Sequence, residues 1–358
     1  MYLKLSQGMD SDKMRDMNKT VLKIFEYAAQ KSEPDLPRMK KFLDPDGHWL
    51  LAACEKSGKL REYMEALFSE PQTQRQSVYE AFRHDMDFDK NTEEKDGFVF
   101  LEDSLDKQIK QKAKQIVLWL YENSFKKKIN GERSGYKAFK KSLFFGNVKN
   151  PPDICPSCLA FQSNLSKYGE MDHFFPKKEY PALIFHPVNL TCICSVCNGS
   201  CVKGQKNPGE RNRLWEIYIP YLLAAEEEVV LRIQRDNKGG KEWKGPRIMM
   251  VPDKNKKSKY TDKRIDNLDS LFNLSDRWTD EMYRFIMIEL DWLKEKAEDE
   301  YEKMLRYRSD MAKEIFQNQK WNMVGAVCLS YMADSGLRLV KKYMEMWKED
   351  EEKMKKGN

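Results

Sequence analysis

Two Cys-x-x-Cys pairs, Cys155/Cys158 and Cys194/Cys197, stand 35 residues apart in this chain. Each pair lets two thiolates reach one ion from a single tight turn, and two such turns complete a tetrahedral four-sulfur site. The constraint is topological. Whatever lies between Cys158 and Cys194 must leave that site and return to it, and the interval is longer than a minimal zinc ribbon needs, so the closed loop has to carry structure. Cys192, separated from Cys194 by one residue, and Cys201, separated from Cys197 by three, compete for places in the second pair. A redox Cys-x-x-Cys works alone, whereas two matched pairs argue for one shared ion.

The remaining composition sets the setting for this site. Six of the eight cysteines crowd between residues 155 and 201, with Cys54 and Cys328 alone in helical contexts and expected as small buried hydrophobes. A disulfide framework would spread its cysteines through a small secreted domain, so clustering favours metal. No run of 18 apolar residues occurs, which excludes a membrane-spanning helix. The opening Met-Tyr-Leu-Lys-Leu-Ser-Gln-Gly lacks a secretory core, so the expected location is cytoplasmic. At 358 residues the chain is long enough for two or three modules, and its net charge of +6 suits a polyanionic partner.

Periodicity places the elements. Val21, Ile24, Phe25 and Ala28 share one helical face, as do Leu105, Ile109, Ala113, Ile116, Val117 and Leu120. Trp49, Leu50, Leu51, Tyr63, Leu67 and Phe82 suggest further helices between them. From residue 125 to 150, Lys126, Lys127, Lys128, Arg133, Lys137, Lys140, Lys141 and Lys149 interleave with Tyr136, Phe139, Phe144 and Phe145, a mixture suited to tracking a nucleic-acid backbone and shared by solvated amphipathic helices. A strand is predicted over 228–234, a turn over 236–240 and a returning strand over 248–251. Thr279 before Asp280 and Glu281 reads as a helix start, followed by Met282, Phe285, Ile286, Leu290, Leu293, Ala297, Tyr301 and Leu305 on one face. A charged tail closes the chain. No GxxxxGK[ST] phosphate loop is present, so the chain should not hydrolyse ATP.

Inside the loop closed by the cysteines lies Glu170-Met-Asp172-His173-Phe-Phe-Pro176, then Asn189-Leu190, and Asn198 follows the last cysteine directly. Residues 150 to about 210 resemble the HNH nucleases of the ββα-metal superfamily. That resemblance selects Cys194/Cys197 as the second pair and implies structural zinc on Cys155, Cys158, Cys194 and Cys197. It makes His173 the general base, whose ordinary pKa of about 6.5 suits proton abstraction near neutrality. It gives Asp172 and Asn198 to a catalytic cation; a carboxylate and an amide oxygen form a sparse, hard set that favours Mg²⁺ or Mn²⁺. Asn189 would bond loop backbone and hold the base, and Asn198 would open the helix that crosses the hairpin.

Lys177, Lys178 and Lys203 are the candidate phosphate contacts, although Cys201 stands where many relatives carry lysine. His186 is expected to pack or bond within the loop, with substrate contact as the alternative. The fold expected is α+β and mostly helical, with a small ββα-metal core and zinc knuckle between helical regions. The module boundaries expected are a helical region at 1–148, a zinc-containing nuclease domain with following strands at 149–270, and a helical region at 271–358. The resemblance further implies an endonuclease acting on nucleic acid, DNA before RNA, in bacterial phage defence. A regulatory protein partner or a homo-oligomer is compatible with the helical flanks. Two other classes stay open: a partner-controlled toxin-like RNase, and a zinc-knuckle module that binds nucleic acid without turnover.

Overall fold

The structure is a computed structural model that describes residues 11–43, 57–125, 154–160, 165–234, 246–294, 303–304, 306–311 and 323–335. The basic segment 126–150, the apolar residues 49–51, Cys54, the 236–240 turn and the charged tail lie outside the described residues. The chain divides into two compact units. Its described part is mostly helical with two small antiparallel sheets, the architecture that the alternation of helical and strand periodicities predicts.

The first unit opens with helices α1 (Ser11–Gln30), α2 (Leu36–Phe42), α3 (Gly58–Phe68), α4 (Gln72–Asp85) and α5 (Lys107–Leu120). Side-chain caps begin three of them. Asp35, Ser57 and Asp106 accept from Arg38 N, Leu60 N and Gln108 N at 3.1, 3.3 and 2.8 Å, each cap contributing about 1 kcal/mol. The predicted apolar faces turn inward: Val21, Ile24, Phe25 and Ala28 of α1, and Ile109, Ala113, Ile116, Val117 and Leu120 of α5, are all buried. Phe25 meets Phe82 of α4 at 4.6 Å between ring centroids.

This core continues beyond the helices. Ala182, Ile184, Phe185 and Leu190, from the loop between the cysteine pairs, belong to the same apolar cluster. The helical region is therefore the wall on which that loop is folded. After α5 the chain widens into a π turn over Tyr121–Phe125, an irregularity common near functional sites.

A short α6 (Leu165–Tyr168) leads into β1 (Glu170–His173), which pairs antiparallel with β2 (Leu190–Ile193). One turn of helix, α7 (Ser195–Asn198), follows, and α8 (Thr261–Phe272) completes the first unit.

The second unit holds β3 (Val229–Gln234) and β4 (Arg247–Pro252), paired antiparallel with Leu231 opposite Met250, together with α9 (Leu274–Lys294) and α10 (Met323–Ser335). The strands fall where alternation predicts them. Helix α9 begins at Leu274, not at Thr279. Asn273 adopts φ +51° between α8 and α9, a left-handed conformation that asparagine tolerates, and the helix resumes at once. Thr279 sits inside it, where its hydroxyl donates to Ser275 O at 2.6 Å and accepts from Ile248 N at 3.1 Å. The residue acts as a tie to β4 instead of a cap. Among the described residues no helix is long and apolar enough to cross a membrane.

Candidate metal centre and histidine cluster

The four cysteines singled out by spacing come together. Sγ atoms of Cys155, Cys158, Cys194 and Cys197 all lie within 4.8 Å of one another, and all four residues are buried. Four ligands on a tetrahedral zinc at about 2.3 Å would stand about 3.8 Å apart; Cys155 Sγ and Cys197 Sγ are 3.9 Å apart, far beyond the ~2.05 Å of a disulfide. Backbone N–H groups of Cys194 and Cys197 point at Cys155 Sγ and Cys194 Sγ, each at 3.4 Å, and such donors favour the thiolate form. The cluster is thus able to hold a metal ion such as zinc. Cys192 is buried elsewhere, with Sγ 3.7 Å from Leu165 O, and Cys201 is exposed, which settles the competition for the second pair. Cys328 is also buried, its thiol pushed up to about 12 by burial and then by the Glu281 charge.

The hairpin between the pairs carries Asp172 and His173 at its end. Asp172 stands opposite Thr191 and His173 opposite Leu190. Neighbours on a strand face opposite ways, and here both faces are covered: Asp172 is 4% and His173 7% exposed. His173 Nε2 lies 3.1 Å from the carbonyl oxygen of Ile184. A carbonyl only accepts, so Nε2 carries the proton and Nδ1 bears the lone pair. The Tyr121 ring meets the imidazole edge-on at 4.8 Å. Burial, and next the Lys177 charge, push the imidazole down to about 3, so the ring is neutral at pH 7.

Asn189 closes the loop that supplies Ile184. Its side chain is fully buried. The Oδ1 atom accepts from Phe175 N at 2.6 Å, while Nδ2 donates to Phe175 O at 3.2 Å and to Leu183 O at 3.0 Å. These three bonds tie the segment just after His173 to the residue just before Ile184. His186 is 2% exposed, accepts from Val188 N at 3.3 Å through Nδ1 and packs on Phe88 at 4.8 Å. It is a packing histidine, pushed down to about 3 chiefly by burial.

The oxygen-bearing residues gather on the other face. Lys203 Nζ is 2.8 Å from Asp172 Oδ1 and 2.7 Å from His173 O, and Lys203 is 1% exposed. Burial lifts the Asp172 carboxyl to about 6 against the nearby Lys203 charge and hydrogen bond, and Glu170 adds to the rise. Asn198 Nδ2 donates to Glu170 Oε2 at 2.6 Å.

Two placements differ from the sequence reading. Asn198 ends α7 instead of opening a helix, because Cys194 is the N-cap and Gly199 leaves the helical region with ψ 151°. Lys203 does not face solvent, since the turns after Gly199 fold its ammonium under β1. Lys177 is partly exposed, pairs with Glu122 and lies 5.3 Å over the Tyr121 ring; Lys178 is exposed.

Glu170 and Tyr121 were not singled out by sequence. Glu170 had a signal, being two positions before Asp172 on a strand and hence on the same face. Tyr121 had none, because its contact with His173 spans 52 residues of chain.

Among known proteins, no family model, no curated protein and no solved structure matches this chain. The residues themselves must carry the argument. For a hard cation the relevant observation is that Asp172 Oδ2 and Thr191 Oγ1, on directly opposed residues, are buried without a hydrogen-bond partner. An orphaned carboxylate oxygen of this kind calls for a water or an ion. Asn198 reaches the same strand through Glu170, and oxygen donors of this kind suit a hard cation better than a soft one.

Proposed function

We propose that this protein is a metal-dependent HNH-type endonuclease stabilised by a structural zinc, and that it hydrolyses phosphodiester bonds of nucleic acid, DNA before RNA. One observation carries the reading: His173 Nε2 lies 3.1 Å from Ile184 O, which commits its proton there and leaves the Nδ1 lone pair as the base. The Asn189 clamp holds the carbonyl that fixes this tautomer. His173 Nδ1 takes a proton from water as the water oxygen bonds to phosphorus, and the opposite P–O bond breaks. Asp172 and Asn198 would hold the cation, which when bound supplies charge stabilisation at the leaving oxygen. Cys197 immediately precedes Asn198, so a zinc in the knuckle fixes where that amide stands. Lys178, which is exposed, and Lys177, which is partly exposed and paired with Glu122, are the cations for phosphate. Lys203 serves Asp172 instead. The preference for DNA rests on the HNH resemblance.

Zinc-loaded protein should cleave plasmid, single-stranded DNA or RNA when Mg²⁺ or Mn²⁺ is added. His173→Ala should lower the rate by roughly 10²–10⁴-fold with zinc content and far-UV circular dichroism unchanged. Equal cleavage by the variant would overturn the mechanism. A second reading, a zinc-stabilised module that binds nucleic acid without turnover, is favoured by the buried Lys203–Asp172 pair, which places a fixed cation against the carboxylate. Tight, metal-independent binding with no cleavage of any of the three substrates would select it.

A further inference from the structure

The cation site of the proposed nuclease has two protein ligands, and an amide ligand raises a problem that a carboxylate does not. Asparagine presents an oxygen in one orientation and an NH₂ group in the other, and only the oxygen binds a cation. Something must choose between them. Asn198 has few restraints of its own: it ends a single helical turn, followed by Gly199 in extended conformation, and its backbone N–H is tied only to the same turn, at Cys194 O. The choice is made across the hairpin. Asn198 Nδ2 donates to Glu170 Oε2 at 2.6 Å, a short, charge-assisted bond. Reversing the amide would bring its oxygen against a carboxylate.

We infer that Glu170 is a positioning residue: by taking the NH₂ of Asn198 it fixes the amide with Oδ1 available to the divalent cation. The inference rests on the nuclease reading and adds to it a residue which does not itself have to touch the ion. The strand geometry explains why the residue stands at 170. Positions 170 and 172 share a face, so one strand sets both ligands, Asp172 directly and Asn198 through Glu170. Asp172 is held in the same manner from behind, where Lys203 occupies Oδ1 and leaves Oδ2 without a partner. Each ligand thus has one polar atom engaged by a neighbouring charge and one oxygen left for the ion. Partners that orient a metal ligand in this way commonly change affinity by about 10–100-fold when removed.

Glu170 is exposed, so its substitution tests the site without disturbing the core. The experiment is Mn²⁺ binding to the full-length, zinc-loaded chain, followed by electron paramagnetic resonance, for the wild type, Glu170→Ala, Glu170→Gln and Asn198→Ala, with zinc content and circular dichroism as controls. Glutamine keeps an oxygen that accepts from the Asn198 amide, but its own NH₂ can turn to meet the reversed amide, so it selects the orientation less strictly. The expected result is a loss of about 10–100-fold for Glu170→Ala, a smaller loss for Glu170→Gln, and a loss for Asn198→Ala at least as large as that for Glu170→Ala. If Glu170→Ala binds Mn²⁺ as the wild type does while Asn198→Ala does not, the positioning role is overturned and the cation site stands. If Glu170→Gln falls as far as Glu170→Ala, Glu170 acts through its charge or as a ligand, and the inference is overturned. If Mn²⁺ binding by the wild type does not depend on Asn198, the cation site of the nuclease reading fails, and the inference fails with it.

Discussion

Replacing Asn189 by alanine should be among the most damaging single changes in the loop between the cysteine pairs. The side chain makes three hydrogen bonds, at 2.6 Å from Phe175 N, 3.2 Å to Phe175 O and 3.0 Å to Leu183 O. Both partner residues are fully buried, so bulk solvent does not reach the groups left behind. Leaving a buried polar group without a partner costs about 1–3 kcal/mol. Three such groups, with a water entering the vacated space and recovering part, give roughly 3–5 kcal/mol, a large share of the ~5–15 kcal/mol that holds a typical domain together.

Aspartate should do no better. It keeps an acceptor for Phe175 N but sets a second oxygen against the Phe175 and Leu183 carbonyls. Two measurements check this. Native-state hydrogen exchange, with zinc present, should show the Phe175 amide exchanging at lower free energy in Asn189→Ala by the stated amount. Ring ¹⁵N spectra should show His173 leaving the Nε2–H tautomer, because Ile184 O is no longer held in place. A stability change below about 1 kcal/mol with an unchanged tautomer would refute the argument that Asn189 clamps the loop.

Two further outcomes are expected. Elemental analysis of the purified chain should give about one zinc per molecule, and Cys197→Ser should remove the metal and expose the amides of residues 190–205 to exchange, since metal binding at such a knuckle is folding free energy; a metal-free chain with those amides protected would contradict it. Glu102 supplies a pH dependence: fully buried, its carboxyl is raised from 4.5 to about 8 by burial despite Lys110 and Arg211. A raised carboxyl contributes stability below its unfolded pKa, and that contribution is lost as pH rises from about 4.5 through 8. The melting temperature of Glu102→Gln should therefore overtake that of the wild type near pH 9 and lose its advantage near pH 4, whereas a variant less stable at pH 9 would show that the ion pairs outweigh burial.

The four-cysteine cluster was legible because a Cys-x-x-Cys is a local geometry, two sulfurs on one turn, and only the meeting of two such turns was left to the fold. The helical faces at Val21–Ala28 and Ile109–Leu120 and the strands at 229–234 and 247–252 were legible for the same reason: periods of 3.6 and 2 are written residue by residue. Asp172, His173 and Asn189 could be named from their order along the chain, but their states could not. The tertiary structure decided that Ile184 O takes the His173 proton, that Tyr121 covers the ring, that Lys203 is drawn under Asp172 instead of facing solvent, and that α7 stops after one turn at Asn198. Each of these depends on where a distant segment packs once the loop between the cysteines has closed on the helical wall, and no local spacing encodes that. The start of α9 failed for a related reason: Thr279 carries a strong capping signal, yet its hydroxyl is taken by Ser275 O and the amide of Ile248, and tertiary contact outweighed local preference.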